Sequence, residues 1–159
     1  IAVGGYKAWE AQGYPISTDQ PKIRKSKKLS INLQEDMIAD IEDVKKAILD
    51  EDQVLVDSRS SDRYRGEVEP IDRVPGHIPS AINIQWTDLF SYEELDESII
   101  KKRYETLADY DKIIVHCGSG ITATVNVLFM EEAGLKPALY IGSYSDWISY
   151  PENEIVTEN

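Results

Sequence analysis

Residues 113–123 read IIVHCGSGITA, and the fold follows from them. Three β-branched residues at 113–115 make a short buried strand, which runs into His116 and Cys117 without a break. Gly118 and Gly120 supply a tight turn around Ser119, and ITATVNVLFMEEA at 121–133 continues as a helix with Gly134 as its stop. Strand, glycine turn and helix in that order are one half of a parallel β-α-β unit. Working outward, VLV at 54–56, AINI at 81–84 and ALYI at 138–141 are further short apolar strands. Met37, Ile38, Ile41, Val44 and Ile48 recur at helical spacing, which predicts an amphipathic helix over 35–49. A second helix is expected over 93–108, with Leu95, Ile99, Ile100, Tyr104 and Leu107 facing inward. Strands alternating with helices predict an α/β domain: a mostly parallel sheet with helices on both faces.

Composition narrows the function classes. The chain has 159 residues, enough for one ordinary domain with extra segments. Hydrophobic residues are 42% and charged residues 29%, the balance of a globular chain. One cysteine precludes an internal disulfide, and with only two histidines a structural zinc site is not expected. Seventeen Lys and Arg against 29 Asp and Glu give a net charge of −12, which argues against nucleic acid or an anionic membrane as partner. No apolar run approaches the roughly 20 residues that span a bilayer, and no signal-peptide pattern opens the chain. A cytoplasmic protein without a cofactor is the expectation. An anionic substrate would then need a local cluster of cations.

Cys117 stands where such a substrate could react. The carboxyl edge of a parallel sheet is where ligands bind. There the glycines let several N–H groups turn toward one sulfur, and the helix N-terminus adds positive potential. Both favour a thiolate, the reactive form. Three other readings of the loop fit less well. Gly118-x-Gly120-x-x-Ala123 matches a dinucleotide fingerprint in form, but too little chain follows to complete that fold. A phosphate-binding loop needs Gly-Lys-Ser/Thr, which is absent. A cysteine phosphatase needs arginine six residues after the nucleophile, and position 123 is alanine.

The segment DSRSSDRYRGEVEPIDRVPGHIPSAINI at 57–84 leaves the same edge and carries Arg59, Arg63, Arg65 and Arg73. Arginines fork onto carboxylates or sulfonate-like anions, although Asp62, Glu67, Glu69 and Asp72 offer them pairing within the segment. His77 reads as a turn-orienting residue. His116 neighbours Cys117 along a strand and so faces the other way.

The chain also repeats itself. Residues 3–16, VGGYKAWEAQGYPI, share with 141–155, IGSYSDWISYPENEI, an order of apolar, Gly, small, Tyr, Trp, Tyr-Pro and Ile. Residues 1–17 therefore read as the tail of a preceding homologous domain. Residues 18–34, with Lys22, Arg24, Lys25, Lys27 and Lys28, read as a basic linker, and 35–159 as the catalytic domain.

VLVDSR at 54–59, GHIPSAIN at 76–83, HCGSGITA at 116–123 and the IGSYSDW ending together resemble the rhodanese family. The resemblance covers roughly 35–159 and, with the repeat, implies the carboxyl-terminal half of a tandem-domain sulfurtransferase. The loop is most similar to the 3-mercaptopyruvate branch, because thiosulfate-preferring members carry a cation there and this loop has none. The resemblance implies that Cys117 takes sulfur from a small anionic donor, 3-mercaptopyruvate or thiosulfate, as a persulfide. It implies that Gly118, Ser119, Gly120, Ile121 and Thr122 cradle that sulfur, and that Arg63, with Arg65 or Arg73, holds the donor's anion. A thiol, a thioredoxin-like protein or cyanide would accept the sulfur, and an amino-terminal rhodanese domain would pack over the site. A non-catalytic persulfide carrier or partner-binding module is the alternative.

Overall fold

The computed structural model describes residues 5–22, 30–91 and 96–158, in two compact units, Ile1–Asn32 and Leu33–Asn159. The larger unit is built on five parallel strands: β1 (Ile38–Ala39), β2 (Gln53–Asp57), β3 (Ile82–Asn83), β4 (Lys112–His116) and β5 (Pro137–Tyr140). Their order across the sheet is β1-β5-β4-β2-β3. Side chains alternate along a strand, and the core divides accordingly. Leu55 and Ile114 face a cluster with Val44, Ala47, Tyr144 and Trp147. Val54, Val56, Ile113 and Val115 face a second cluster with Tyr104, Leu107 and Met130. Each fully buried side chain of Leu or Ile size contributes about 1.5–3 kcal/mol through the water it sheds, so the two central strands anchor both layers. Helices α2 (Ile41–Ala47) and α6 (Ser143–Trp147) supply the first cluster; α4 (Glu97–Tyr104) and α5 (Ala123–Glu132) supply the second. The α/β architecture with helices on both faces is as expected.

Several boundaries differ from expectation. The helix expected over 35–49 begins only at Ile41, because Asp40 accepts from the Asp43 N–H while the Asp43 side chain accepts from the Asp40 N–H. That reciprocal cap frees Ile38 and Ala39 to pair with Leu139 and Tyr140 as an edge strand. Helix α4 ends at Tyr104 and tightens into a 3₁₀ turn at Glu105–Leu107; Leu95 lies outside the described residues. The 57–84 segment contains a five-residue helix, α3 (Ser61–Arg65), closed by Gly66 at φ 82°.

In the smaller unit, helix α1 (Gly5–Ala11) repeats α6 in detail. Gly5 starts α1 at φ 59° and Ser143 starts α6 at φ 57°. The Trp9 indole donates to Pro15 O at 3.1 Å, and the Trp147 indole donates to Glu154 O at 2.9 Å. The two tryptophans differ in cover: Trp147 is 3% exposed and Trp9 44%. Arg24, Lys25, Lys27 and Lys28 of the basic linker lie outside the described residues.

Candidate active site

Strands β2 and β4 are parallel and adjacent, with Asp57 opposite His116, so the segments that follow them leave at one edge. The Ser58 N–H donates to His116 O at 2.8 Å and fixes that exit. Cys117 comes next, 2% exposed, at the foot of α5. Burial would push its thiol up, but the Thr122 hydroxyl and the backbone N–H groups of Ala123, Ser119 and Gly120 outweigh it and hold the thiol below its ordinary value. Thr122 stands at the N-cap of α5 yet makes no side-chain capping bond. Its hydroxyl serves the sulfur instead.

The loop is pinned from behind by the start of α6. Ser143 Oγ accepts from the Cys117 N–H at 3.2 Å and donates to Tyr140 O at 2.9 Å. The Tyr144 and Ser145 N–H groups donate to Cys117 O and Gly118 O at 3.0 and 2.9 Å. Gly120 turns at φ 79°, and a Cβ there would sit 2.4 Å from Ile141 O, so only glycine fits.

Above the sulfur lies a cavity of about 230 Å³. The loop residues Cys117, Gly118, Ser119, Ile121 and Thr122 form one wall; Arg63, Ile71 and Ser145 form the other. Arg63 reaches it from α3. Its Nε donates to both Glu69 oxygens at 3.1 Å, and its Nη2 donates to Glu69 Oε1 at 2.8 Å and Asp72 Oδ2 at 3.0 Å. Glu69 also bonds Arg59, which is buried against Asp57 and stacks 3.9 Å over the Tyr144 ring. Burial alone would raise the Glu69 carboxyl; Arg63 and the N–H groups of Asp72 and Ile71 hold it below the usual range. Asp72 is fixed by Ser145 Oγ at 2.6 Å. A thiol held below its ordinary value thus lines the same small cavity as a guanidinium, an arrangement that could serve attack on a small anion.

A family profile described as "Rhodanese-like domain" matches residues 40–150. The chain belongs to the rhodanese family. A Pseudomonas aeruginosa protein named "Probable 3-mercaptopyruvate sulfurtransferase" is 33% identical over 162 residues, covering 97% of this chain and 56% of the relative. The human 3-mercaptopyruvate sulfurtransferase is 35% identical over 152 residues, covering 91% of this chain and 50% of the relative. The chain therefore spans about half the length of the curated relatives it matches. Among solved structures, the anaerobic ergothioneine biosynthesis enzyme from Chlorobium limicola, in complex with trimethyl histidine, shares the fold. Its TM-score is 0.82 at 23% identity, over 98% of this chain and 40% of that one.

Within this rhodanese domain the expected residues separate. Arg63 lines the cavity with Cys117, Gly118, Ser119, Ile121 and Thr122, while Gly120 turns its N–H toward the sulfur from below. Arg65 points elsewhere, in an exposed pair with Glu67 at 2.8 Å. Arg73 is exposed and lines a different depression, with Tyr150 and Asn153. His77 is buried, bonded to Tyr64 O at 2.8 Å and stacked on the Tyr64 ring. His116 is buried too, and burial holds its imidazole below the ordinary value. The repeated Gly-Ser-Tyr motif marks the segment, but no local pattern signals the bonds of Ser143 to Cys117 and of Ser145 to Asp72. Glu69 and Asp72, which in the sequence compete for the arginines, orient Arg63 at the cavity wall. No helix among the described residues is long and apolar enough to cross a membrane.

Proposed function

We propose that this chain carries the catalytic domain of a sulfurtransferase working through a persulfide on Cys117. The observation that carries the reading is the thiol, held toward its anionic form by Thr122 and the loop N–H groups, in a cavity whose facing wall presents Arg63. With 3-mercaptopyruvate as donor, the Cys117 thiolate attacks the donor sulfur and the carbon–sulfur bond breaks. The bond's electrons leave as the enolate of pyruvate, which takes a proton from water, and the donor's thiol proton stays on the new persulfide. With thiosulfate, the sulfur–sulfur bond breaks instead and sulfite leaves. A thiol, a thioredoxin-like protein or cyanide then removes the outer sulfur and returns the Cys117 thiolate. The α/β cradle supports 3-mercaptopyruvate as first donor, because the loop 117–122 contains no cation for a second negative charge.

The repeat supports a tandem architecture. Gly5 and Trp9 reproduce the backbone and indole bond of Ser143 and Trp147, so 1–17 is read as the end of a preceding rhodanese unit. Tyr6 and Trp9 would belong to that unit's core. A cytoplasmic setting, where thiol acceptors are abundant, fits a sequence with one cysteine and no internal disulfide.

Intact-protein mass measurement tests the reading. Donor should add one sulfur, about 32 Da, as covalent catalysis through a sulfur-carrying cysteine requires. A reducing thiol should remove it, and Cys117→Ser should never acquire it. A shift that persists in Cys117→Ser overturns the assignment. A shift without turnover by any acceptor assigns the domain as a carrier.

A further inference from the structure

Arg63 does not meet the cavity as an uncompensated cation. It belongs to a network with Arg59, Asp57, Glu69 and Asp72. Two cations stand against three carboxylates, so the network carries one net negative charge beside a cavity meant for anions. The guanidinium is also partly used up. Nε and Nη2 serve Glu69 and Asp72, and among the described residues Nη1 makes no hydrogen bond. Nη1 lies 3.7 Å from where a Cβ on Gly118 would be, beside the reactive loop. Among the described residues no other Lys, Arg or His lines the cavity, and its remaining large side chains, Ile71 and Ile121, are apolar and 75% and 74% exposed.

The geometry points to Asp72 as the residue that sets the donor charge this site accepts, favouring a monoanionic α-keto acid over a dianionic donor. The inference rests on the reading of the cavity as the sulfur-donor site. A monoanion can place its carboxylate on the Nη1 edge and lay its neutral carbonyl and methylene against the isoleucines. A dianion brings a second charge that meets no second cation among the described lining residues and faces the Asp72 carboxylate. Asp72 is the carboxylate to single out because of what it holds. Glu69 bridges both arginines and is needed for the network's shape. Asp72 bonds Arg63 and Ser145, and its Oδ2 is 3.6 Å from the Gly118 Cβ position. Its charge therefore acts beside residue 118 of the cavity-lining loop. The neutral amide of asparagine has nearly its shape, so the charge can be removed alone.

The test compares kcat/KM for 3-mercaptopyruvate and thiosulfate in the full-length protein at low and high ionic strength. Asp72→Asn should raise the thiosulfate-to-mercaptopyruvate ratio about tenfold at low salt, since a second charge on the donor doubles its repulsion from one carboxylate. The gain should shrink as salt screens it. Ile71→Lys places a cation at an exposed wall position, where folding is not at stake, and should raise the same ratio. Equal effects of Asp72→Asn on both donors, with no change of ratio in Ile71→Lys, overturn the inference. Should Asp72→Asn fail to fold, an unchanged ratio in Ile71→Lys overturns it alone. Wild-type protein that neither turns over nor gains sulfur from either donor overturns the donor-site reading itself, a separate and recognisable result.

Discussion

Thr122 offers the cleanest test of how the loop tunes its sulfur. Its hydroxyl donates to Cys117 and caps no backbone group, so its loss should affect the thiolate far more than helix α5. A hydrogen bond to a charged group contributes about 1.5–3 kcal/mol, equivalent to about ten- to a hundredfold in an equilibrium. In Thr122→Val the thiol should therefore move up toward its ordinary value, and the thiolate fraction near pH 7 should fall. The rate falls less, because thiolate nucleophilicity rises with basicity at a Brønsted slope of about 0.4–0.5. Together these give alkylation about three- to tenfold slower near pH 7, with a faster plateau once the variant is fully ionised. The two pH–rate curves should cross. The assay is iodoacetamide modification followed by intact mass, unambiguous because the chain has one cysteine. Thr122→Ser should restore the wild-type curve, and the thermal midpoint should hardly move. Curves that keep the wild-type pH midpoint in Thr122→Val would refute the reasoning, because the hydroxyl would then not hold the anion.

Arg63→Ala should raise the apparent KM for donor by about tenfold, the low end for a charge-assisted bond because Glu69 and Asp72 already share the guanidinium, with a smaller loss in kcat. Arg63→Lys should recover only part, since one ammonium cannot serve both carboxylates and a donor; steady-state kinetics with equal KM in Ala and wild type would remove Arg63 from the donor site. Gly120→Ala should cost at least the roughly 1–3 kcal/mol of a strained backbone, and more for the contact with Ile141 O, visible as a lower melting temperature. Ser143→Gly should remove the hydroxyl that receives the Cys117 N–H while relieving the φ 57° backbone, so the fold should hold as sulfur transfer slows; unchanged kcat would make the hydroxyl dispensable. His116 resists protonation because it is buried. Below its ordinary value of 6.5 the unfolded chain takes up a proton that the fold refuses, so stability falls as pH falls through that value. Thermal melts of His116→Gln should show a shallower loss from pH 6.5 down to about 5 than wild type.

What the sequence disclosed, and what it hid, follows the range of the interactions involved. Strands β2, β4 and β5 announce themselves through apolar runs because both faces are buried. Strand β1 does not, because Met37, Ile38 and Ile41 also fit a helix; the deciding signal is the Asp40–Asp43 pair, a local cap that overrides periodicity. Helix α3 is hidden because SDRYR at 61–65 carries one buried side chain, Tyr64, and one residue has no period. The loop at Cys117 is legible since strand, glycines and helix are contiguous. The partners of that loop are not. Ser145 meets Asp72 across 73 positions and Ser143 meets Cys117 across 26, and no local pattern encodes such a meeting. The arginines illustrate the same limit. Arg63 and Arg65 sit two residues apart on one short helix, yet one lines the cavity and the other pairs with Glu67 at the surface.

The hydrogen-bond account of the loop explains why its sulfur can be served by backbone at all. A buried N–H or C=O must find a partner, and the polar groups nearest the strand have theirs outside the loop. Cys117 N–H goes to Ser143, Cys117 O receives Tyr144, and Gly118 O receives Ser145. With those satisfied, the N–H groups of Ser119, Gly120 and Ala123 are left to converge on Cys117. Preorganisation of this kind requires a rigid backing, and the backing is residues 141–145, where Ile141 O also blocks any side chain at position 120. The repeat at the other end of the chain keeps the backbone of this device and not its hydroxyls. Gly5 and Lys7 occupy the places of Ser143 and Ser145. Gly5 has no hydroxyl to receive an N–H as Ser143 does, and Lys7 carries an ammonium where Ser145 has the hydroxyl that bonds Asp72. In the unit Leu33–Asn159 these two hydroxyls therefore hold the Cys117 loop and the Asp72 carboxylate, and the matching positions 5 and 7 carry neither hydroxyl.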